Sequence, residues 1–109
     1  TYSNEIKHAL LNVSLEDLET HGAVSETVAR QMAEGVRVRL NADWGVGITG
    51  IAGPGGGTPE KPVGLVYIGV ANSEGVTVAR KEFHADRQGV KDRACLHALN
   101  LLRKAIAGP

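Results

Sequence analysis

The chain of 109 residues is long enough for one domain with its own hydrophobic core. Its 12 Lys and Arg residues balance 12 Asp and Glu residues, which argues against direct nucleic-acid binding and against broad contact with an anionic membrane. No apolar run reaches the roughly 18 residues of a membrane helix. Because Cys95 is the only cysteine, an internal disulfide framework is excluded and a reducing, cytoplasmic compartment is favoured.

The first part of the sequence predicts three helices in succession. A short helix over residues 4–11 is followed by a second over residues 15–20, for which Ser14 is the candidate N-cap. A third helix over residues 26–40 follows the candidate N-cap Ser25. Its apolar residues recur every four positions, as on a helix that packs against a core: Val28, Met32, Val36 and Leu40.

Three strands and a last helix complete the predicted elements. Strands are expected over residues 44–51, 65–71 and 76–83, and the short turn at residues 72–75 makes the last two an antiparallel hairpin. The run at 65–71 is almost entirely apolar, which is typical of a central strand covered on both faces. A helix capped by Asp86 is expected over residues 87–106. Three strands make a small sheet, so we expect a further strand that would end at Thr1.

The segment at residues 50–62 is the most informative part of the sequence. Five of its first eight residues are glycines, which permit positive φ and close backbone approach. Successive backbone N–H groups can bind an anion, and Lys61, Thr49 and Thr58 add a cation and two hydroxyls. A phosphate or carboxylate site is therefore one interpretation, and a plain connecting loop is the other. The spacing fits neither a P-loop nor a dinucleotide-binding turn.

Two further places could carry chemistry. Tyr2 and Lys7 lie at a predicted strand-to-helix junction, where each could lower the pKa of the other or activate a third group. The alternative is a partly buried Tyr and a surface Lys. Asp86 and Arg87 open the last helix, where a guanidinium beside a helix N-terminus can bind an anion. The alternative there is an N-cap with a solvated Arg. The four histidines show no metal-ligand spacing.

Four motifs carry a resemblance to a known family. They are Thr1-Tyr-Ser-Asn-Glu-Ile-Lys7, Gly22-Ala-Val-Ser-Glu26, Thr49-Gly-Ile-Ala-Gly-Pro-Gly-Gly-Gly57 and Glu60-Lys-Pro-Val-Gly64. In this order they closely resemble the C-terminal domain of the competence/damage-inducible protein CinA, whose stand-alone relatives are nicotinamide mononucleotide amidohydrolases. The resemblance covers residues 1–109 as one domain. It implies an α/β fold, a three-layer α/β/α sandwich with a mixed sheet.

The resemblance also implies an activity, namely hydrolysis of the amide of nicotinamide mononucleotide to nicotinate mononucleotide and ammonia, without a metal or other cofactor. Tyr2 and Lys7 fall on the family's catalytic Tyr and Lys, and Arg87 falls on a position suited to the substrate phosphate. The glycine motif would line the substrate site with the candidate binding residues Thr49, Gly50, Gly53, Gly55, Gly56 and Lys61. A homodimer and an N-terminal companion domain are implied as partners.

One departure from the family pattern concerns the nucleophile. The family's catalytic Ser lies in an Ala-Glu-Ser-Cys-Thr-Gly-Gly segment upstream of the Tyr motif, and this sequence begins at the Tyr motif. By the family pattern, the first strand and first helix of the domain also precede this point. We therefore expect the 109 residues by themselves to be inactive. A nucleotide-binding or assembly module of a larger CinA protein, without catalysis, is the alternative.

Overall fold

The computed structural model describes residues 14–108. The helix predicted over residues 4–11 lies outside them. Helix α1 spans Leu15–His21 and begins where the Ser14 side chain accepts a hydrogen bond from the Asp17 backbone N–H. Helix α2 spans Glu26–Arg39 and is capped in the same way by Ser25. Both predicted N-caps are confirmed, because each side-chain oxygen satisfies an otherwise unpaired N–H of a first turn.

The sheet has three strands in the order β1-β2-β3. Strand β1 spans Gly45–Gly50, β2 spans Leu65–Asn72 and β3 spans Gly75–Glu82. Both neighbouring pairs are antiparallel, with the β2–β3 hairpin closing where Asn72 pairs with Gly75. The central position predicted for the apolar strand β2 is confirmed. Among residues 14–108 no strands pair in parallel, so the mixed pairing of the expected sheet is not found in this part of the chain.

Helix α2 rests almost directly on the backbone of the sheet. A Cβ atom on Gly47 would lie 2.7 Å from the backbone N of Ala33, and one on Gly69 would lie 2.6 Å from the carbonyl oxygen of Ala29. Gly47 and Gly69 are cross-strand partners. The facing residues Ala29 and Ala33 are fully buried. Small residues on both sides therefore set the short distance between α2 and the sheet.

Helix α3, which spans Arg87–Ala107, covers the opposite face. Successive strand residues point to opposite faces, so Val66 and Ile68 of β2 point away from α2. They pack in one cluster with Phe83 and with buried α3 residues. Helices thus cover both faces of the sheet, as predicted, and the α/β fold class is confirmed. No helix among the described residues is long and apolar enough to cross a membrane.

Candidate functional site

The glycine-rich segment forms a closed loop between β1 and β2. Its base is held by two backbone hydrogen bonds, from the Ile51 N–H to the Leu65 carbonyl (2.9 Å) and from the Gly64 N–H to the Ile51 carbonyl (2.7 Å). Near its far end, the Thr58 N–H donates to the Lys61 carbonyl (2.8 Å), and the Lys61 N–H donates back to the Thr58 hydroxyl oxygen (3.0 Å). These hydrogen bonds hold the base and the far part of the loop, and residues 54–60 are exposed.

The glycines of this loop differ in backbone conformation and in the space around them. Gly53 and Gly56 have φ of +85° and +92°, a region that L side chains rarely adopt. Gly57 approaches the chain closely, since a Cβ there would lie 2.7 Å from the Val63 backbone N. A Cβ on Gly55 would meet no atom within 4 Å. The backbone at Gly55 thus borders open space, where a ligand can approach it.

Arg87 joins the loop to the start of α3. The helix begins where the Asp86 carboxylate accepts a hydrogen bond from the Gly89 N–H (2.8 Å). From the next position, Arg87 Nη1 donates to the Gly53 carbonyl oxygen (3.0 Å). This contact uses one of the five guanidinium N–H donors. The guanidinium, the first turn of α3 and the glycine loop therefore meet at one place, and all three favour an anion.

Lys61 lies at the other end of the loop and contacts α1. Its Nζ donates to the backbone carbonyl of His21, the last residue of that helix. A cation at a helix C-terminus is electrostatically favourable, because the unpaired carbonyls there carry partial negative charge. The ammonium group also approaches Gly22, where a Cβ would lie 2.9 Å from Nζ. Lys61 thus has a structural contact as well as the predicted role of a ligand-binding cation.

Thr49 and Gly50 end strand β1. The Thr49 side chain is buried, and its hydroxyl donates to the Ala23 carbonyl oxygen (2.7 Å) between α1 and α2. That hydroxyl proton is therefore committed to holding the two helices against the sheet. Gly50 is exposed, and a Cβ there would lie 2.9 Å from the Leu65 carbonyl oxygen. Their place in a substrate site stays a prediction, as does that of the loop glycines.

Two ion pairs on α2 and on the sheet shift the pKa values of their members. A hydrogen bond from Arg37 holds the pKa of Glu34 below its usual value, and both residues belong to α2. The Tyr67 hydroxyl and then Glu82 raise the pKa of Arg80 on the sheet. Arg87 and Lys61 bring positive charge to the loop, beside its backbone N–H groups.

Tyr2 and Lys7, the expected catalytic pair, lie outside the described residues. Among the described residues, no three His, Cys, Asp or Glu side chains come together as a group that could hold a metal ion. Sequence analysis did not predict the two backbone carbonyls that accept hydrogen bonds from Lys61 and Thr49. They belong to His21 and Ala23, respectively. No side-chain signal could have found them, because every residue has a carbonyl.

Comparisons with known proteins agree with one another. The family profile described as "CinA C-terminal domain" matches residues 1–106. A "CinA-like protein" from Thermosynechococcus vestitus is 54% identical over 108 residues, an alignment that covers 96% of this chain and 26% of the relative. This chain thus spans about a quarter of the length of the curated relatives it matches.

Solved structures show the same likeness in three dimensions. The competence damage-inducible protein A from Klebsiella pneumoniae matches with a TM-score of 0.93 and 32% identity, over 99% of this chain and 67% of that one. A competence-damaged protein (CinA) superfamily protein from Escherichia coli matches with a TM-score of 0.88 and 36% identity, over 94% and 59%. Because the family profile matches residues 1–106 of the 109 in this chain, the chain belongs to the CinA C-terminal domain family.

Proposed function

We propose that the domain to which this chain contributes hydrolyses the amide of nicotinamide mononucleotide, giving nicotinate mononucleotide and ammonia. Family membership makes this reaction the first candidate. The observation that carries the proposal is the meeting of Arg87 with the glycine loop, since a phosphorylated substrate needs a fixed cation and backbone donors beside open space. Such salvage of a pyridine nucleotide belongs in the cytoplasm.

The proposed chemistry proceeds in two steps. A serine from the family's upstream segment attacks the carboxamide carbon, while Lys7, in its neutral form, accepts the serine proton through Tyr2. Backbone N–H groups stabilise the oxyanion, which collapses to an acyl-enzyme as the amide nitrogen takes up a proton and leaves as ammonia. Water then attacks the acyl-enzyme, releases nicotinate mononucleotide and returns the proton to the serine. The described residues supply binding rather than this covalent step.

Arg87 is the binding residue whose role can be tested most directly. Its Nη1 stays on the Gly53 carbonyl, and the remaining N–H groups are proposed to bind the phosphate. Hydrogen bonds to charged groups contribute about 1.5–3 kcal/mol, so Arg87→Gln should raise KM about tenfold to a hundredfold with a smaller change in kcat. Arg93→Gln, an exposed arginine on the same helix, is the matched control and should leave KM unchanged.

The assay is ammonia release from nicotinamide mononucleotide. It is run on the 109-residue chain and on the same chain preceded by the serine-bearing segment of a relative. Turnover by the extended chain that disappears when its serine is changed to alanine supports the proposal. An extended chain that folds and binds the nucleotide, but releases no ammonia, would refute amide hydrolysis.

That second outcome would instead support a non-catalytic module that binds a nucleotide within a larger protein. One observation favours this alternative, because the chain spans only 26% of the length of its curated relative. Calorimetric titration with nicotinamide mononucleotide measures the binding that both hypotheses expect, and ammonia release separates the two. A module should bind the nucleotide with the same dependence on Arg87, whether or not the serine segment is present.

A further inference from the structure

Three successive backbone carbonyl groups between α1 and α2 each accept a hydrogen bond from a side chain. We call these carbonyl groups, which belong to residues 21–23, the carbonyl triplet. The donors come from the glycine loop, from the N-cap of α2 and from the end of β1. The pairs are Lys61 Nζ with His21, the Ser25 hydroxyl with Gly22 (3.0 Å) and the Thr49 hydroxyl with Ala23 (2.7 Å). Three of the four motifs that carry the family resemblance therefore meet at this turn.

Two of these contacts fix the carbonyl triplet independently of the glycine loop. Ser25 and Thr49 are both buried, so their hydroxyl groups hold the turn against α2 and the sheet. Gly22 has a φ of +78°, and its N–H donates to the Leu18 carbonyl oxygen (3.0 Å), which closes the last turn of α1. The carbonyl triplet is thus a fixed set of acceptors to which the glycine loop attaches.

Lys61 attaches the second half of the glycine loop to the carbonyl triplet. Its backbone N–H donates to the Thr58 hydroxyl oxygen (3.0 Å), and its carbonyl accepts from the Thr58 N–H (2.8 Å), so this turn of the loop is fixed together with the Lys61 side chain. Arg87 holds the first half at the Gly53 carbonyl. Between the halves, a Cβ on Gly55 would meet no atom within 4 Å, so the Lys61 ammonium group does not lie beside it. The loop is held in both halves and is open between them.

We propose that Lys61 is a positioning residue, whose hydrogen bond to the carbonyl triplet holds the glycine loop in the conformation that binds the substrate phosphate. This inference rests on the proposed function, in which the loop N–H groups and Arg87 contact the phosphate. The ammonium group is favourably placed at the C-terminal end of α1, where carbonyl groups carry partial negative charge. A loop that is already ordered loses less conformational freedom when a ligand binds, and the ligand therefore binds more tightly.

The first test is amide hydrogen exchange in the ligand-free 109-residue chain, measured by NMR. Lys61→Met keeps the aliphatic length of the side chain and removes the donor. The Thr58 amide should then exchange about fivefold faster or more, because the turn loses its attachment to the carbonyl triplet. Lys61→Arg, whose guanidinium can donate to the same carbonyl, should restore slow exchange. Lys104→Met, which removes an exposed lysine from the last turn of α3, is the matched control and should exchange like the wild type.

Unchanged exchange of the Thr58 amide in a folded Lys61→Met chain would overturn the proposal. Far-UV circular dichroism checks the folding of each variant. Lys61→Gln is a second variant with the same expectation, because its amide nitrogen ends one bond short of the lysine nitrogen. The chain is free of ligand in this measurement, so the result does not depend on whether the domain hydrolyses an amide.

The second test is ammonia release from nicotinamide mononucleotide by the chain extended with the serine-bearing segment. Lys61→Met should raise KM about tenfold and leave kcat within about twofold, since the loop binds the phosphate but takes no part in the covalent step. Lys61→Arg should return KM to within about threefold of the wild type. A raised KM with unchanged exchange of the Thr58 amide would show that the ammonium group binds the phosphate directly, and it would overturn the positioning role. Faster exchange with an unchanged KM would overturn it as well.

Failure of amide hydrolysis leaves this comparison intact. If the extended chain releases no ammonia, the proposed reaction is refuted, and the Kd of nicotinamide mononucleotide from calorimetric titration takes the place of KM for the same variants. Lys61→Met should then raise Kd about tenfold. Equal Kd values for the wild type and Lys61→Met, or a wild-type chain that binds no nucleotide, would overturn the proposal.

Discussion

Gly47 lies where α2 rests on the sheet, and a single methyl group there should destabilise the fold. A Cβ at this position would lie 2.7 Å from the Ala33 backbone N, 2.8 Å from the Met32 Cβ and 3.0 Å from the Ala29 carbonyl oxygen. Real Cβ contacts are longer by several tenths of an ångström. Two of these three atoms belong to the helix backbone, so no side-chain rotation relieves the overlap. In Gly47→Ala the helix must move away from the sheet.

The size of the effect follows from two opposing contributions. Overpacking a core typically lowers the free energy of unfolding by about 1–3 kcal/mol. We take the upper value of about 3 kcal/mol, because the overlap here is with backbone atoms that cannot rotate away. Alanine in a strand regains about 0.5–1 kcal/mol relative to glycine, since it loses less backbone entropy on folding. The net loss in the free energy of unfolding is then about 2 kcal/mol, which lowers Tm by about 10 °C in a domain of this size.

Thermal and urea unfolding followed by far-UV circular dichroism measure this loss. Gly55→Ala is the matched control, because a Cβ there meets no atom within 4 Å. The control should stay within about 0.5 kcal/mol of the wild type, as for an ordinary surface substitution. Equal stability of Gly47→Ala and Gly55→Ala would contradict the inferred backbone contact between α2 and β1.

Two other predictions concern α2. Ser25→Ala removes the hydroxyl that accepts a hydrogen bond from the Val28 N–H (3.3 Å). It should lower the free energy of unfolding, measured with urea, by about 1 kcal/mol. Ser25→Thr keeps the hydroxyl and should therefore lower it by less. Arg37 holds the pKa of Glu34 below 4.5, so this ion pair contributes stability above that pH and loses it as the pH falls through the folded-state value. In an NMR titration, Arg37→Gln should therefore move the Glu34 midpoint upward, and an unchanged midpoint would contradict the pairing.

Much of the fold could be predicted from patterns that act over a few residues. The four-residue recurrence that includes Val28 and Met32 identified α2, because one face of that helix had to be buried. The continuous apolar run of β2 identified the central strand, since only a strand covered on both faces buries consecutive side chains. The boundaries agreed within a few residues. The parallel pairing expected of a mixed sheet is not found among the described strands, all of which are antiparallel.

The candidate site was harder to predict, because its contacts are made with backbone atoms. The glycine motif indicated a permissive loop, and positive φ at Gly53 and Gly56 agrees with that interpretation. The hydrogen bond from Arg87 to the Gly53 carbonyl joins two segments that are 34 residues apart in the sequence. No local sequence pattern encodes how such segments come together. Lys61 illustrates the same limit, since its charge was evident but its contact with the last carbonyl of α1 was not.

The contact of α2 with the sheet also has an entropic consequence. Glycine and alanine have no side-chain rotamers to lose on burial, so forming this layer orders only the backbone. Alternative side-chain packings, which let many helices shift along a sheet, do not exist where Ala29 and Ala33 meet Gly47 and Gly69. The helix therefore has a single well-defined position on the sheet. Its amides should exchange with solvent as slowly as those of β2, because neither element can open without the other.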